Sequence, residues 1–114
     1  MENLNTKDKI NAPDLELLLK QRSEREIHFI LIDVREEYEY QNERIVGVDY
    51  LIPMSNIYQL TESIDRHKDD IIILQCKSGG RSLQAQRYLN SLGFKKTINM
   101  EGGIMAYNGE KDRG

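Results

Sequence analysis

From residue 71 the chain reads Ile71-Ile72-Ile73-Leu74-Gln75-Cys76-Lys77-Ser78-Gly79-Gly80-Arg81-Ser82. Its first four residues are branched aliphatics, three of them β-branched, which favours a strand buried in a sheet. After the glycine pair, four apolar residues recur at helical spacing: Ala85, Tyr88, Leu89 and Leu92. The pattern predicts a strand over residues 71–75, a glycine loop, and a helix from near Ser82 to Gly93. Cys76 therefore lies at the carboxyl end of a strand.

Further elements are predicted on both sides of this stretch. Pro13 suits a first helical turn, and leucines at positions 15, 18 and 19 predict a helix that reaches about Arg22. Residues 27–34 contain a continuous apolar run and predict a strand covered on both faces, with Asp33 at its carboxyl end. Residues 97–100 predict another short strand. The helices and strands alternate along the chain.

The remaining segments are shorter. Residues 36–42 predict a single helical excursion, residues 50–52 an extended segment limited by Pro53, and Ser55 a cap for a short helix over residues 56–60. The polar run 65–70 is predicted to be an exposed connection. Gly102-Gly103 turns the chain into a brief polar C-terminal segment.

Alternating strands and helices favour an α/β sandwich with a mostly parallel sheet and right-handed crossovers. The 114 residues suit one domain, residues 1–114. In such sheets, ligands bind beyond the carboxyl ends of the strands. Asp33 and Cys76 are therefore expected at the edge of the sheet where sites form.

Composition excludes several classes of function. Apolar residues make up 39% and charged residues 31%, and no apolar run approaches the roughly 18 residues that cross a bilayer. The first nine residues lack a signal core, which predicts a cytoplasmic protein. A net charge of −3 with alternating signs predicts no binding of nucleic acid or acidic membranes. Without a heptad pattern, a monomer is expected.

The cysteine count limits the chemistry further. A single cysteine forms no internal disulfide, and with two distant histidines, His28 and His67, it offers no zinc spacing. We expect no metal and no cofactor.

The loop around Cys76 combines features that stabilise an anion. Its two glycines permit a curled backbone whose N–H groups point inward as a nest, and the following helix adds partial positive charge at its N-terminus. Lys77 and Arg81 add full charges, and Ser78 and Ser82 add hydroxyl groups. These features predict a Cys76 pKa well below that of an ordinary thiol. A tight turn with a merely buried cysteine is the alternative, and the loop alone does not decide between sulfur and phosphate chemistry.

The stretch from Cys76 to Arg81 resembles the C-x-x-G-x-R active loop of single-domain rhodaneses. Other family motifs lie in the expected places along residues 9–107: Asp33-Val34-Arg35 with Glu39-Tyr40, then Ile45 and Gly47, then Ile52-Pro53, and finally Gly102-Gly103 with Tyr107. Two details differ, because the chain reads Glu43-Arg44-Ile45-Val46-Gly47-Val48 where the family often has G-H-I-P-G-A, and Tyr107 replaces a tryptophan.

The resemblance implies a three-layer α/β/α sandwich with about five strands. It also implies a sulfurtransferase in which Cys76 takes a sulfane sulfur from an anionic donor such as thiosulfate and becomes a persulfide. A small thiol or a protein then accepts the sulfur.

The same resemblance implies a role for each residue of the loop. The amides of residues 77–81 (Lys77, Ser78, Gly79, Gly80 and Arg81) would hold the persulfide, and Lys77 and Arg81 would orient the donor. Four residues are expected to give structural support: Asp33, Arg35, Glu39 and Ser82. With the cysteine near its surface, such a domain could also act as a pure sulfur carrier.

Two rival functions remain open. A phosphatase or arsenate reductase, as in the cell-cycle dual-specificity phosphatases, also uses a cysteine loop, but its signature is C-x5-R. Here four residues separate Cys76 from Arg81, and Gln75 stands where those enzymes have histidine. A noncatalytic binding module of the same fold is the second rival, although such modules often lack the cysteine.

Overall fold

The computed structural model describes residues 4–114, which form a sheet with helices on both faces. The described residues contain seven strands: β1 Lys9–Ile10, β2 Ile30–Asp33, β3 Glu43–Ile45, β4 Tyr50–Leu51, β5 Ile71–Gln75, β6 Lys96–Met100 and β7 Lys111–Arg113. They also contain five α-helices: α1 Ala12–Ser23, α2 Glu37–Asn42, α3 Ile57–Leu60, α4 Gly80–Ser91 and α5 Gly103–Ala106. Three 3₁₀ segments complete the described elements: Leu4–Thr6, Met54–Asn56 and Thr61–His67.

Five of the strands form one parallel sheet in the order β1-β6-β5-β2-β4. β5 lies at its centre, and four of its five residues are buried, as the apolar run 71–74 predicts. The predicted α/β class and the mostly parallel sheet of five strands are confirmed.

The two faces of the sheet carry separate apolar clusters. One face packs against α1 and α5 through residues such as Leu15, Leu18 and Ile104. The other packs against α3, the Thr61–His67 segment and α4 through residues such as Ile64 and Leu89. This arrangement confirms the three-layer sandwich. None of the helices found between residues 4 and 114 is long and apolar enough to span a bilayer.

The first helix begins where its sequence signals place it. The Asn11 side chain accepts a hydrogen bond from the Asp14 N–H at 2.8 Å, and the Asp14 carboxylate accepts one from the Asn11 N–H at 3.2 Å. This reciprocal capping box satisfies two backbone donors, and Pro13 follows in the first turn.

β2 and β5 end together, which places the candidate residues at one edge. Asp33 pairs in register with Gln75, and the Val34 N–H donates to the Gln75 carbonyl at 2.9 Å. Asp33 and Cys76 therefore lie at neighbouring strand ends, as expected.

Three local predictions are wrong. β2 covers Ile30–Asp33 rather than residues 27–34. Ser55 does not cap α3, because its hydroxyl and N–H bond to the Glu36 carboxylate and a 3₁₀ turn precedes the helix. The run 65–70 is not a simple exposed connection, since His67 is half-buried and contacts Asp70 and Tyr50 at 2.7 and 3.0 Å.

The C-terminal segment forms structure that its composition does not predict. β7 pairs with β3 in an antiparallel two-stranded ladder, with Glu43 opposite Arg113 and Ile45 opposite Lys111. The Arg113 guanidinium also pairs with the Glu43 carboxylate at 2.8 Å. This ladder stands beside the carboxyl edge of the main sheet, because the Arg35 side chain donates to the Glu43 carbonyl at 2.7 Å.

Candidate active site

In the loop between β5 and α4, one residue has a left-handed backbone conformation. Gly79 has φ +113°, and a Cβ added there would lie 3.3 Å from the backbone nitrogen of Gly102. Gly80 does not share this conformation and is the first residue of α4, so the helix begins two residues before the predicted Ser82. Glycine at position 79 lets the loop curl back over the cysteine.

The curl surrounds the Cys76 sulfur with donors. The Gly79 N–H donates to Sγ at 3.0 Å, and the Ser82 hydroxyl oxygen lies 3.4 Å from it. Cys76 is only 1% exposed, so the expectation of a cysteine near the surface is wrong. The sulfur lies behind the loop, within the cluster that packs on α4.

Two opposing effects set the pKa of the Cys76 thiol. Burial raises it, because a thiolate is poorly solvated there. Hydrogen bonds from the Ser82 hydroxyl and from the backbone N–H groups of Ser82, Gly79 and Ser78 lower it by more. The net pKa is below its ordinary value, as the sequence predicts. The groups that lower the pKa are hydrogen-bond donors, whereas the sequence also predicts a contribution from the charges of Lys77 and Arg81.

The two cations of the loop differ in their surroundings. The Arg81 guanidinium makes a bidentate pair with the Glu39 carboxylate, at 2.6 and 3.0 Å, and this bond raises the pKa of Arg81. Lys77 is exposed, and no acidic side chain between residues 4 and 114 forms an ion pair with it. Glu39 thus does more than steady a distant loop, because it fixes the side chain that ends the cysteine loop.

The Arg81–Glu39 pair makes stability depend on pH. The Arg81 hydrogen bond lowers the pKa of Glu39 from 4.5 to about 2, against the smaller raising effect of burial. The folded-state pKa lies below that of the unfolded chain, so the stabilisation is complete above about pH 4.5 and is lost as pH falls toward 2. We expect the urea midpoint of the wild type to fall more steeply over this range than that of Glu39→Gln. Parallel curves would contradict this assignment.

Asp33 and Arg35 form a second ion pair beneath the site. Asp33 is fully buried and Arg35 is 4% exposed. The Arg35 side chain donates to both carboxylate oxygens at 2.8 to 3.1 Å, and its backbone N–H donates to Oδ1 at 2.9 Å. These two residues therefore form a buried, charge-assisted pair, and their role as structural support stays a prediction.

Two polar residues around the cysteine are not among the predicted site residues. Asn99 on β6 is 6% exposed and accepts a hydrogen bond from the Ser82 hydroxyl at 2.5 Å. The Gln75 side chain donates to the Cys76 carbonyl at 2.7 Å. From its second residue onward β6 alternates polar and apolar residues (Thr97-Ile98-Asn99-Met100), so nothing in its sequence singles out Asn99 or indicates its partner.

Helix α5 packs directly on the start of the loop. The Ile104 N–H donates to the Cys76 carbonyl at 2.9 Å, and the Met105 N–H donates to the Lys77 carbonyl at 3.1 Å. Gly103 makes this approach possible, since a Cβ there would lie 2.4 Å from the carbonyl carbon and oxygen of Lys77. Gly103, the second glycine of the Gly102-Gly103 pair, therefore allows α5 to pack on the cysteine loop, which lies 26 residues earlier in the chain.

A groove of about 660 Å³ lies beside the loop. It is bounded by α2, the β3–β7 ladder and α5. Its lining includes the exposed side chains of Tyr38 and Met105 together with two lysines, Lys77 and Lys111. Neither lysine is ion-paired within the described range, whereas the two carboxylates of the lining, Glu39 and Glu43, are paired with Arg81 and Arg113. The groove therefore offers unpaired positive charge next to apolar surface.

The chemistry available at this site is nucleophilic. A buried sulfur with a lowered pKa, held by N–H and O–H donors, can attack an electrophilic centre and carry the product as an anion. Between residues 4 and 114, no three histidine, cysteine or acidic side chains converge in a way that could hold a metal ion.

Comparison with known proteins agrees with this geometry. The rhodanese-like domain matches residues 14–110 of the chain. The chain belongs to the rhodanese family. A crystal structure of a rhodanese-like domain protein from Staphylococcus aureus superposes with a TM-score of 0.75 at 28% identity, covering 90% of this chain and 93% of that one.

Two curated relatives of this rhodanese domain are named as sulfurtransferases. "Putative sulfurtransferase YtwF" of Bacillus subtilis (strain 168) is 40% identical over 92 residues, which are 81% of this chain and 85% of YtwF. A "Sulfurtransferase" of Allochromatium vinosum is 32% identical over 98 residues, which are 86% of this chain and 88% of that protein. A role in sulfur transfer is therefore supported for this rhodanese.

Proposed function

We propose that this protein takes a sulfane sulfur from an anionic donor such as thiosulfate onto Cys76, and passes it to a thiophilic acceptor, either a small thiol or a protein. The observation that supports this most is the Cys76 sulfur at the centre of its loop, 3.0 Å from the Gly79 N–H and with a lowered pKa. The reaction belongs in a reducing compartment such as the cytoplasm, where a thiolate persists.

The first half-reaction forms the persulfide. The Cys76 thiolate attacks the outer sulfur of thiosulfate, and the bond to the sulfonate sulfur breaks. Sulfite leaves with that electron pair, and the transferred sulfur remains on Cys76 as an anion. Lys77 supplies the accessible charge for the donor, because the guanidinium of Arg81 is already bound to Glu39.

The second half-reaction returns the enzyme to its starting state. The acceptor attacks the outer sulfur of the persulfide, and Cys76 leaves as a thiolate. The hydrogen bonds that lower the pKa of Cys76 also stabilise it as the leaving group. The same groups thus assist both half-reactions.

The test is intact mass measurement without reductant after incubation with thiosulfate, followed by cyanide and a thiocyanate assay. We expect a gain of one sulfur atom that cyanide removes as thiocyanate, and no gain in Cys76→Ser. No gain with thiosulfate, mercaptopyruvate or a glutathione persulfide would contradict the proposal. It would leave phosphate esters, arsenate and noncatalytic partner binding as the functions to examine.

A further inference from the structure

The Ser82 hydroxyl has more acceptors within reach than it has protons. Its oxygen lies 3.4 Å from Cys76 Sγ, 3.1 Å from the Gly79 carbonyl oxygen and 2.5 Å from Asn99 Oδ1. A hydroxyl group donates one hydrogen bond and accepts two. When the proton points to Asn99, the sulfur receives none from Ser82.

The Asn99 amide can resolve this competition. Its carbonyl accepts from Ser82, and its NH₂ group donates to the Gly79 carbonyl over 3.4 Å. A half-turn about the terminal torsion exchanges the two groups, because that torsion is broad and nearly two-fold. The NH₂ group would then donate to the Ser82 oxygen, which leaves the Ser82 proton for the sulfur.

We propose that Asn99 is a positioning residue whose amide rotates with the charge of Cys76 and so directs the Ser82 hydroxyl. With a neutral thiol, Sγ–H donates to the Ser82 oxygen, and the Ser82 hydroxyl donates to Asn99 Oδ1. After the thiol loses its proton to solvent, Asn99 Nδ2 donates to the Ser82 oxygen and the Ser82 hydroxyl donates to the thiolate. This inference rests on the proposed function only in taking Cys76 as the residue that bears sulfur.

The charge on sulfur decides which arrangement is favoured. Rotation gives up the long bond to Gly79 and turns Oδ1 toward the carbonyl oxygen of that residue. The Gly79 carbonyl keeps the Leu83 N–H at 3.2 Å, so it retains a donor. A charge-assisted hydrogen bond to thiolate is about twice as strong as a neutral one, which offsets the loss.

Few other polar or charged groups lie close enough to influence the ionisation of Cys76. Asn99 and Ser82 are 6% and 0% exposed, so solvent does not substitute for either partner. Arg81 on α4 interacts electrostatically with Cys76, and Lys77 precedes it in the loop. Asp33 and Arg35, at the end of β2, are bound to each other. β6 presents the uncharged Asn99.

The first experiment is a pH profile of Cys76 alkylation by iodoacetamide, which reports thiolate. In Asn99→Leu the thiolate arrangement loses the Nδ2 donor to the Ser82 oxygen, whereas in the thiol arrangement the Ser82 hydroxyl can still donate to the Gly79 carbonyl at 3.1 Å. We therefore expect the alkylation midpoint to rise by about 0.5 to 1 pH unit. In a Ser82→Ala background, the same substitution should cause no further rise. A rise of equal size in both backgrounds would overturn the proposal.

The matched control is Gln86→Leu. Gln86 is also 6% exposed at the contact between α4 and β6, where it donates to the carbonyls of Thr97 and Asp8. We expect Gln86→Leu to lower thermal stability while leaving the alkylation midpoint unchanged. A shift as large as that of Asn99→Leu would reduce the effect to general loosening of this contact and would contradict the proposal.

The second experiment needs no substitution at position 99 and therefore holds if Asn99→Leu fails to fold. In ¹⁵N-labelled protein, the Asn99 side-chain NH₂ resonance should shift with the same pH midpoint as alkylation, and Ser82→Ala should abolish the shift. A resonance that ignores Cys76 ionisation, or that moves equally in Ser82→Ala, would overturn the proposal. Neither experiment uses a sulfur donor, so failure of sulfur transfer would be distinguished from failure of this inference.

Discussion

Gly103→Ala is expected to lower the free energy of unfolding by about 2 to 5 kcal/mol. Gly103 has φ +58°, a left-handed conformation that costs an L-residue about 1 to 2 kcal/mol. The new Cβ would also lie 2.4 Å from the Lys77 carbonyl group and 2.5 Å from the Cys76 carbonyl oxygen. Because these are backbone atoms, relief requires α5 to move off the cysteine loop. Urea denaturation measures the change, and sulfur transfer should fall with it.

Gly93→Ala is the control that distinguishes the cost of a left-handed alanine backbone from the cost of a steric clash at its Cβ. Gly93 also has a positive φ, +94°, but a Cβ there meets no atom within 4 Å. It should therefore show the conformational cost alone, about 1 to 2 kcal/mol, with transfer activity retained. Equal losses in the two variants would refute the close packing of α5 on the loop.

Arg35→Met is expected to destabilise the protein by about 3 to 5 kcal/mol, because it leaves the fully buried Asp33 carboxylate without its charged partner. It also removes the bond from Arg35 to the Glu43 carbonyl, which ties the β3–β7 ladder to the sheet edge. The measurement is the free energy of unfolding in urea at neutral pH.

The double variant Asp33→Asn with Arg35→Met identifies the cause. An asparagine oxygen can still accept from the backbone N–H of residue 35, while the buried charge is gone. We therefore expect the double variant to be more stable than Arg35→Met alone. Arg87→Met, the same change at an exposed position on α4, should be close to neutral. A double variant no more stable than Arg35→Met alone would show that charge burial is not the cause.

The parts of the fold that sequence predicts are those with strong local patterns. β5, its glycine loop and α4 are specified within 23 consecutive residues, by β-branched aliphatics followed by helical spacing. β1 is two residues long, and the β3–β7 ladder joins charged segments about 70 residues apart. Pairing of that kind depends on where the rest of the chain brings the two segments, which no local pattern records.

In the site, too, some features follow from local sequence and others depend on how the chain packs. Cys76 and its loop follow from neighbouring residues, and the lowered thiol pKa follows from the nest they form. The ion-pair partner of Arg81 cannot be predicted from neighbouring residues, because Glu39 lies 42 residues away in the chain. Asn99 reaches Ser82 only because β6 lies beside β5 under the start of α4. Burial of the sulfur is likewise a property of the packed layers.

That burial has a consequence for any reagent aimed at Cys76. A thiolate of lowered pKa on an open surface would be modified by electrophiles in order of their reactivity. At 1% exposure behind a backbone loop, the width of the reagent comes first. Slim alkyl halides should reach the sulfur where a bulky maleimide dye is held outside the loop. Selective covalent probes of this protein should therefore be designed first for a narrow cross-section and only then for reactivity.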